Sequence, residues 1–151
     1  MKIRIIDYRP PRIAQLFVLA AAVLHWATPL SRLHIYSNWV LGMVLGIGGF
    51  GIMMWGWWIF KKSDIAICPT AKTDHLVTSG VYRFTRNPMY LGLISMLLAL
   101  ALFVGTSPFY LSTAAYFLVI DNVFCPYEEG KLVEAFGDRY TSYQSKVRRW
   151  L

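Results

Sequence analysis

The sequence predicts an all-α integral membrane protein with about four transmembrane helices, the last two in a tight helical hairpin, and an amphipathic C-terminal helix on the cytoplasmic side. Apolar residues make up 56% of the 151 residues. Charged residues make up 15%, whereas soluble domains average about 25%. Long apolar segments alternate with polar connections, among which the basic residues are unevenly distributed. We therefore treat residues 1–151 as a single membrane domain.

Four apolar segments predict the transmembrane helices. The first two are long enough to cross a bilayer, which needs roughly 20 residues. The last two are shorter, but residues 87–120 contain no charged residue. Turn-forming residues at 105–108, Gly-Thr-Ser-Pro, interrupt this stretch and predict the hairpin. The four segments are Ile13–Leu30, Trp39–Phe60, Met89–Val104 and Phe109–Phe124.

The basic residues predict the orientation of the chain. Lys and Arg number 4, 1, 5, 0 and 5 in the N-terminal arm, the three connections and the C-terminal tail. This alternation follows the positive-inside rule, so both termini and the middle connection are expected in the cytoplasm. If the protein is prokaryotic, the membrane is expected to be the inner or plasma membrane. Topology and attraction to anionic membrane lipid then explain the net charge of +7, and we expect no nucleic-acid partner.

The first apolar segment also has the basic flank of a secretory signal peptide. It ends in TPLSRLHIY, which lacks a small-residue cleavage site, so we interpret it as a retained helix. His25 lies within this segment and is interpreted as a packing residue, with a functional role as the alternative. The two cysteines, Cys68 and Cys125, are expected to be reduced thiols at the cytoplasmic side, and their spacing indicates no metal site.

The second apolar segment is rich in glycine. Gly42 and Gly46 are four residues apart, which suits close contact between helices and makes this segment a candidate homodimer surface. Three tryptophans, two of them adjacent, end the segment beside Lys61 and Lys62. Aromatic residues next to lysines are typical of the membrane–water interface.

The middle connection, Ser63–Pro88, leads polar residues to the start of the third span. Pro88 suits the first turn of a helix, and Asn87 is predicted to cap it. The unpaired N–H groups of a helix start favour a carboxylate or another acceptor on a ligand, and Gly92 would let a flat group approach. The alternative is an ordinary capped helix whose Arg86 extends to lipid headgroups.

The segment Tyr127–Leu151 predicts the amphipathic C-terminal helix, with a bend expected at Gly137. Two adjacent acids, Glu128 and Glu129, either begin this helix or bind a ligand. Asp121 is a further candidate, because a charge near a membrane span is costly and often functional. The apolar face recurs at helical spacing and consists of Leu132, Phe136, Tyr140, Tyr143 and Val147.

Two of these segments together resemble the integral-membrane methyltransferases, the relatives of isoprenylcysteine carboxyl methyltransferase and the small phospholipid methyltransferases. LVTSGVYRFTRNPMYLG (Leu76–Gly92) is similar to the family's SG-x-Y-x-x-x-RHPxYxG. EEGKLVEAFGDRYTSYQSKV (Glu128–Val147) is similar to EE-x-x-L-x-x-x-FG-x-x-Y-x-x-Y-x-x-x-V. Both motifs occur in the family's order, separated by the predicted hairpin.

The resemblance implies methyl transfer from S-adenosylmethionine, bound in a cytoplasm-facing pocket that the tail closes, to a small lipophilic thiol, amine, hydroxyl or carboxyl acceptor arriving from the membrane lipid. We expect Glu128 to pair with the ammonium group of the cofactor and Tyr82 or Tyr90 to face its sulfonium. Catalytic roles are assigned to Arg86, Glu128 and Glu129, with no metal ion. The cofactor-binding residues that the resemblance implies are Asp74, His75, Leu76, Val77, Tyr82, Asn87, Pro88, Met89, Tyr90 and Glu128.

Two positions depart from the family pattern. Asn87 replaces the usual histidine and cannot titrate, which argues against a general base there. Phe124 replaces the arginine that the prenylcysteine enzymes carry one helical turn before the paired acids, which argues against a prenylcysteine carboxylate as acceptor. A membrane reductase of the sterol-reductase type, using NADPH, and a non-catalytic membrane scaffold are the alternative functions.

Overall fold

The computed structural model describes residues 10–29, 33–62 and 76–151. Within these ranges the chain forms α-helices and no β-strand, in agreement with the predicted all-α class. A 3₁₀ turn, Gly80–Arg83, precedes α3, and a π-helical turn, Ile120–Phe124, joins α4 to α5. The helices are α1 (Pro10–Ala27), α2 (Trp39–Lys62), α3 (Pro88–Val104), α4 (Ser107–Val119), α5 (Cys125–Phe136) and α6 (Asp138–Lys146).

Two helices in the described part of the chain are long and apolar enough to cross a membrane. One is α2, with 24 residues, and the other is the continuous 30-residue helix Ser107–Phe136 that α4, the π turn and α5 form together. The third helix is apolar but only 17 residues long. The structure thus supports a membrane protein with two candidate spans, and the four crossings and the cytoplasmic termini stay predictions.

The predicted hairpin is present between α3 and α4. Gly105 follows α3 with a φ of +76°, a left-handed conformation that glycine adopts without strain. Its N–H bonds to the carbonyl of Ala101 at 2.7 Å, which ends the helix. The connection before α2 packs on this turn, because the N–H of Ile35 bonds to the Gly105 carbonyl at 2.9 Å and that of Ser107 to the Leu33 carbonyl at 3.1 Å.

Glycines bring α2 and α3 into close contact, as the spacing of Gly42 and Gly46 predicted. A Cβ at Gly42 would lie 3.3 Å from the carbonyl oxygen of Ala99, and one at Gly49 would lie 2.8 Å from that of Gly92. The expectation that Gly92 leaves room for a flat ligand is wrong. The backbone of α2 fills that space, so Gly92 serves helix packing.

The main apolar core lies where α1, α3 and the long helix Ser107–Phe136 meet. Tyr116, Ile120 and Phe124 are fully buried there against Ile13 and Ala14 of α1. Large apolar side chains on the remaining faces of α1 and α2 are exposed, which fits contact with lipid. Since Phe124 belongs to this core, its side chain points away from solvent and toward the helix packing.

The C-terminal region differs from the single helix predicted for Tyr127–Leu151. The long helix begins at Ser107 and continues past Phe124, the predicted end of the fourth span, to Phe136. Gly137, with a φ of +50°, then bends the chain as expected. After α6, Val147 leaves the helical conformation, with a φ of −122° and a ψ of 128°.

Candidate functional site

The start of α3 forms one wall of the candidate site. Pro88 occupies the first turn, and the carbonyl of Asn87 accepts the N–H of Leu91 at 2.9 Å. The predicted side-chain cap is absent at Asn87. Its amide nitrogen instead donates to the carbonyl of Arg149 at 3.4 Å, because the C-terminal tail brings that acceptor beside the helix start.

Tyr90 and Glu128 join the two sequence motifs directly. The hydroxyl of Tyr90, on the first turn of α3, donates a hydrogen bond to Oε1 of Glu128 on α5 at 2.5 Å. The ring of Tyr90 is buried in the main core. The predicted partners of a cofactor ammonium and sulfonium therefore lie next to each other, at the point where the hairpin brings the two motifs together.

Tyr82, on the 3₁₀ turn, supplies a buried hydroxyl beside this pair. Its ring packs on Phe60 of α2 at a centroid distance of 5.4 Å. A Cβ at Gly56 would lie 3.4 Å from the Tyr82 hydroxyl and 3.3 Å from the Cγ atom of Pro88, so this hydroxyl lies near the start of α3. Burial and the neighbouring Tyr143 and Glu128 oxygens raise the pKa of Tyr82, which keeps the phenol neutral.

The helix α6 holds the 3₁₀ turn in place. The hydroxyl of Tyr143 donates to the main-chain carbonyl of Tyr82 at 2.6 Å. Burial and the adjacent Tyr140 raise the pKa of Tyr143 to about 12, so this donor stays protonated at neutral pH. The tail motif thus supports the cofactor-binding candidate Tyr82 through the backbone.

Arg86 and Glu129 form an ion pair, with Nη1 to Oε1 at 3.1 Å and both side chains largely buried. Arg149 binds the same carboxylate, with Nε and Nη2 at 3.0 and 2.9 Å from its two oxygens. The two adjacent acids therefore have different surroundings: Glu129 faces two guanidinium groups, whereas Glu128 faces a tyrosine.

Two buried side-chain nitrogen or oxygen atoms in the described residues have no hydrogen-bond partner. They are the hydroxyl of Tyr82 and Nε of Arg86. Buried polar groups are normally hydrogen-bonded, so each unpaired one calls for an explanation. A ligand that carries both donors and acceptors next to Glu128 would provide the missing partners.

The other predicted residues are placed as follows. Met89 and Pro88 contact α2 near Gly56. Leu76 and Val77 lie outside any helix, and Leu76 borders an open depression of about 450 Å³ with Thr78, Asp138, Arg139 and Ser142. Asp74, His75 and Cys68 lie outside the described residues.

The structure shows where the two weaker candidates from the sequence, Asp121 and His25, lie. Asp121 lies in the π turn and accepts hydrogen bonds from Arg149 at 2.9 Å and Trp150 at 3.1 Å. His25 lies at the hairpin turn, where its Nδ1 is 3.1 Å from the hydroxyl oxygen of Thr106. Because Gly105–Ser107 lies at the end of α3 opposite Tyr90, His25 is remote from the candidate site.

Sequence reasoning missed the C-terminal Arg149 as part of this cluster. It also missed Thr85, whose hydroxyl donates to the Arg149 carbonyl at 2.9 Å and accepts the Asn87 N–H at 3.2 Å. A residue beyond the last helix carries no periodic pattern that could reveal its contacts. The basic pair Arg148-Arg149 in the tail is the available indication, but the positive-inside rule alone also explains it.

Comparison with known proteins identifies the family. A family model described as phospholipid methyltransferase matches residues 37–139, which include Tyr82, Arg86, Tyr90 and the two acids of α5. The chain belongs to the phospholipid methyltransferase family. Membership in this family of membrane methyltransferases agrees with the resemblance that the two motifs indicated, and it favours methyl transfer over nicotinamide-dependent reduction.

This phospholipid methyltransferase family member is similar to two proteins over part of its length. An uncharacterized protein of Haemophilus influenzae is 44% identical over 63 residues, 42% of this chain and 100% of that protein. The protein-S-isoprenylcysteine O-methyltransferase of Schizosaccharomyces pombe is 37% identical over 78 residues, which is 49% of this chain but 32% of the yeast protein. No solved structure matches the chain significantly.

Proposed function

We propose that this family member transfers a methyl group from S-adenosylmethionine to a small lipophilic acceptor at the cytoplasmic face of the membrane. The hydrogen bond between Tyr90 and Glu128 is the observation that carries the proposal, because it joins the two motifs at a buried point beside unpaired polar atoms. When bound, S-adenosylmethionine supplies an electrophilic methyl group on a sulfonium.

The residues present fit the polar end of that cofactor. The carboxylate of Glu128 complements an ammonium group. The unpaired Nε of Arg86 is a donor suited to a carboxylate, and the unpaired hydroxyl of Tyr82 can donate or accept. The aromatic faces of Tyr82 and Tyr90 favour a cation by about 0.5–2 kcal/mol each where one lies over the ring.

The chain's contribution to catalysis is alignment. Direct displacement needs the acceptor and the methyl group held in line with water excluded, and it needs no covalent nucleophile. The burial of Tyr82 and Tyr90 supports a site from which water is excluded. The catalytic roles of Arg86, Glu128 and Glu129 belong to this proposal, with Arg86 and Glu129 acting as an ion pair.

The acceptor is proposed to be a lipophilic thiol, amine or hydroxyl in preference to a prenylcysteine carboxylate. Phe124 occupies the position of the carboxylate-binding arginine of the prenylcysteine enzymes and is fully buried in the core. A buried unpaired charge is costly, so this core is suited to the aromatic ring that it contains. The yeast relative's name describes that protein's substrate, and the match covers 32% of its length.

Calorimetric titration of the detergent-purified protein with S-adenosylmethionine and S-adenosylhomocysteine tests the proposal. We expect micromolar binding that Glu128→Gln weakens strongly. Glu134→Gln is the matched control, because this exposed residue lies on the same helix. Absence of binding to a folded wild-type protein would overturn the proposal, and NADPH binding in the same titration would favour a reductase.

A further inference from the structure

The side chain of Arg149 links two acids on the long helix Ser107–Phe136. Its Nε and Nη2 bind the two carboxylate oxygens of Glu129, and its Nη1 binds Oδ1 of Asp121 at 2.9 Å and the Asp121 carbonyl at 3.2 Å. Four hydrogen bonds from one guanidinium use the planar fork that arginine has and lysine lacks. The tail is thereby fixed to the π turn, through Asp121, and to α5, through Glu129.

The main chain of the same segment holds the start of α3. The Arg149 carbonyl accepts from the Thr85 hydroxyl at 2.9 Å and from the Asn87 amide at 3.4 Å. The Arg148 carbonyl accepts the N–H of Arg86 at 3.0 Å. Residues 148 and 149 therefore connect two parts of the site. One is the segment of residues 85–87, which precedes α3, the helix that carries Tyr90. The other is the long helix that carries Glu128.

Trp150 reinforces this connection. Its indole N–H donates to Oδ1 of Asp121 at 3.1 Å, and its ring packs on Phe117 at a centroid distance of 5.3 Å. Asp121 thus receives donors from two successive tail residues. We call residues 148–150 the C-terminal clasp.

The charges of the ion pairs around Arg149 balance. Glu129 and Asp121 face Arg86 and Arg149, so two acids meet two bases. Breaking a partly buried pair by removing one partner leaves a charge that the remaining groups do not compensate. Loss of the Arg149 side chain would therefore leave Asp121 without its guanidinium partner. It would also leave Glu129 to pair with Arg86 alone, which would draw the Arg86 side chain, with its unpaired Nε, closer to Glu129.

We propose that Arg149 is a positioning residue for cofactor binding: it sets Glu128 and Arg86 at the spacing that a ligand between them requires. The inference rests on the proposed function, since the ligand is S-adenosylmethionine. Arg149 acts through the hydrogen bonds of its side chain to Glu129 and through those of its carbonyl to the segment before α3. The family match ends at residue 139, so Arg149 lies beyond the segment that the match describes.

The test compares Arg149→Met with Arg148→Met in the full-length protein. Both remove one positive charge and keep chain length and the backbone carbonyls, but the Arg148 side chain is exposed. We expect Arg149→Met to raise the dissociation constant of S-adenosylmethionine by about tenfold or more, and Arg148→Met to leave it within about twofold. Arg149→Lys should fall between the two, because it restores the charge without the fork.

Helix content by circular dichroism and the elution volume in detergent separate positioning from misfolding. We expect both to be unchanged in Arg149→Met while affinity falls. If Arg149→Met is misfolded, the affinity of Asp121→Asn tests the inference instead, because this variant keeps an oxygen acceptor but removes the charge that pairs with Arg149. We expect Asp121→Asn to weaken binding by about threefold.

The outcomes distinguish the two proposals. A wild-type protein that does not bind S-adenosylmethionine removes the proposed function and the inference with it. A wild-type protein that binds, together with a folded Arg149→Met of equal affinity, overturns the inference alone. If Arg149→Met is misfolded, a folded Asp121→Asn with unchanged affinity also overturns the inference alone.

Discussion

The hydroxyl of Tyr90 in α3 donates a hydrogen bond to Oε1 of Glu128 in α5, although the two residues are 38 positions apart in the chain. The hairpin between them makes this possible, because α4 returns along α3 and continues through the π turn into α5. One hydrogen bond thus joins the two motifs that indicated the family.

Tyr90→Phe is expected to reduce both stability and cofactor affinity. The ring stays in the core, but the carboxyl group of Glu128 loses a hydrogen-bond partner, and a hydrogen bond in a folded protein contributes about 0.5–1.5 kcal/mol. Thermal unfolding in detergent and calorimetric titration measure the two effects.

Tyr110→Phe is the matched control for that change. It removes a hydroxyl that donates to the Tyr36 carbonyl at 2.6 Å, on the side of the bundle where the hairpin turns. We expect lower stability with unchanged cofactor affinity. Equal affinity losses in the two variants would contradict a specific role for Tyr90.

Gly92→Ala is expected to destabilise the contact between α2 and α3. The added Cβ would lie 2.7 Å from Cβ of Met53 and 3.0 Å from its nitrogen, and the backbone cannot yield without separating the helices. Overpacking of this kind costs about 1–3 kcal/mol.

Gly48→Ala is the matched control for Gly92→Ala. It makes the same substitution on α2, at a position with open space around the added methyl group. No atom lies within 4 Å of its added Cβ, so the higher helix propensity of alanine should stabilise α2 by up to about 1 kcal/mol. Thermal midpoints of both variants in one detergent give the comparison. A midpoint of Gly92→Ala at or above the wild-type value would contradict the packing described for Gly92.

The structural features that the sequence predicted correctly depend on the properties of single residues. The glycine at 105 ends α3, Gly137 bends the tail, and Gly42 faces α3, each because of its own conformation or size. The continuation of the fourth span beyond Phe124 was missed because Pro126 and the acids resemble a helix start. Pro126 fits in the first turn after the π turn, so the helix continues.

The site was predicted less completely because its contacts depend on the path of the tail. The partners of Arg149 are 20 and 28 residues away, a separation that no helical period encodes. The side chain of Asn87 bonds to that tail, so its predicted cap could not be tested without the tertiary structure. The proposed roles of the site residues remain predictions.

Tyr143→Phe is expected to reduce the alkaline sensitivity of the fold. The folded state raises the pKa of Tyr143 from the ordinary value of 10.0 to about 12. A raised pKa means that this residue's contribution to stability is complete below pH 10 and is lost as the pH rises through about 12. The variant has no phenol to ionise at this position.

The measurement is the difference in thermal midpoint between wild type and Tyr143→Phe at several pH values from neutral to alkaline. We expect Tyr143→Phe to be less stable at neutral pH, because the bond to the Tyr82 carbonyl is lost, and the difference to shrink above pH 10. A difference that is constant with pH would show that Tyr143 ionises alike in the folded and unfolded states.

Asn87→His restores the histidine of the family motif and tests what asparagine contributes. A neutral imidazole can donate to the Arg149 carbonyl as the amide does, so cofactor affinity near pH 8 should change by less than about threefold. Asn87→Leu removes the donor and provides the comparison. Equal affinity of the two variants would show that the bond to Arg149 has no role in binding.

The same variant should acquire a pH dependence that the wild type lacks. The introduced imidazole lies at the positive end of α3 beside Arg86, so its pKa in the folded state should fall below the unperturbed value of about 6.5. A lowered pKa of a base means that the unfolded state binds the proton first, and stability is lost as the pH falls through about 6.5. Thermal midpoints of Asn87→His and wild type should therefore diverge between about pH 7.5 and 5.5, and parallel curves would place the imidazole in solvent, away from α3.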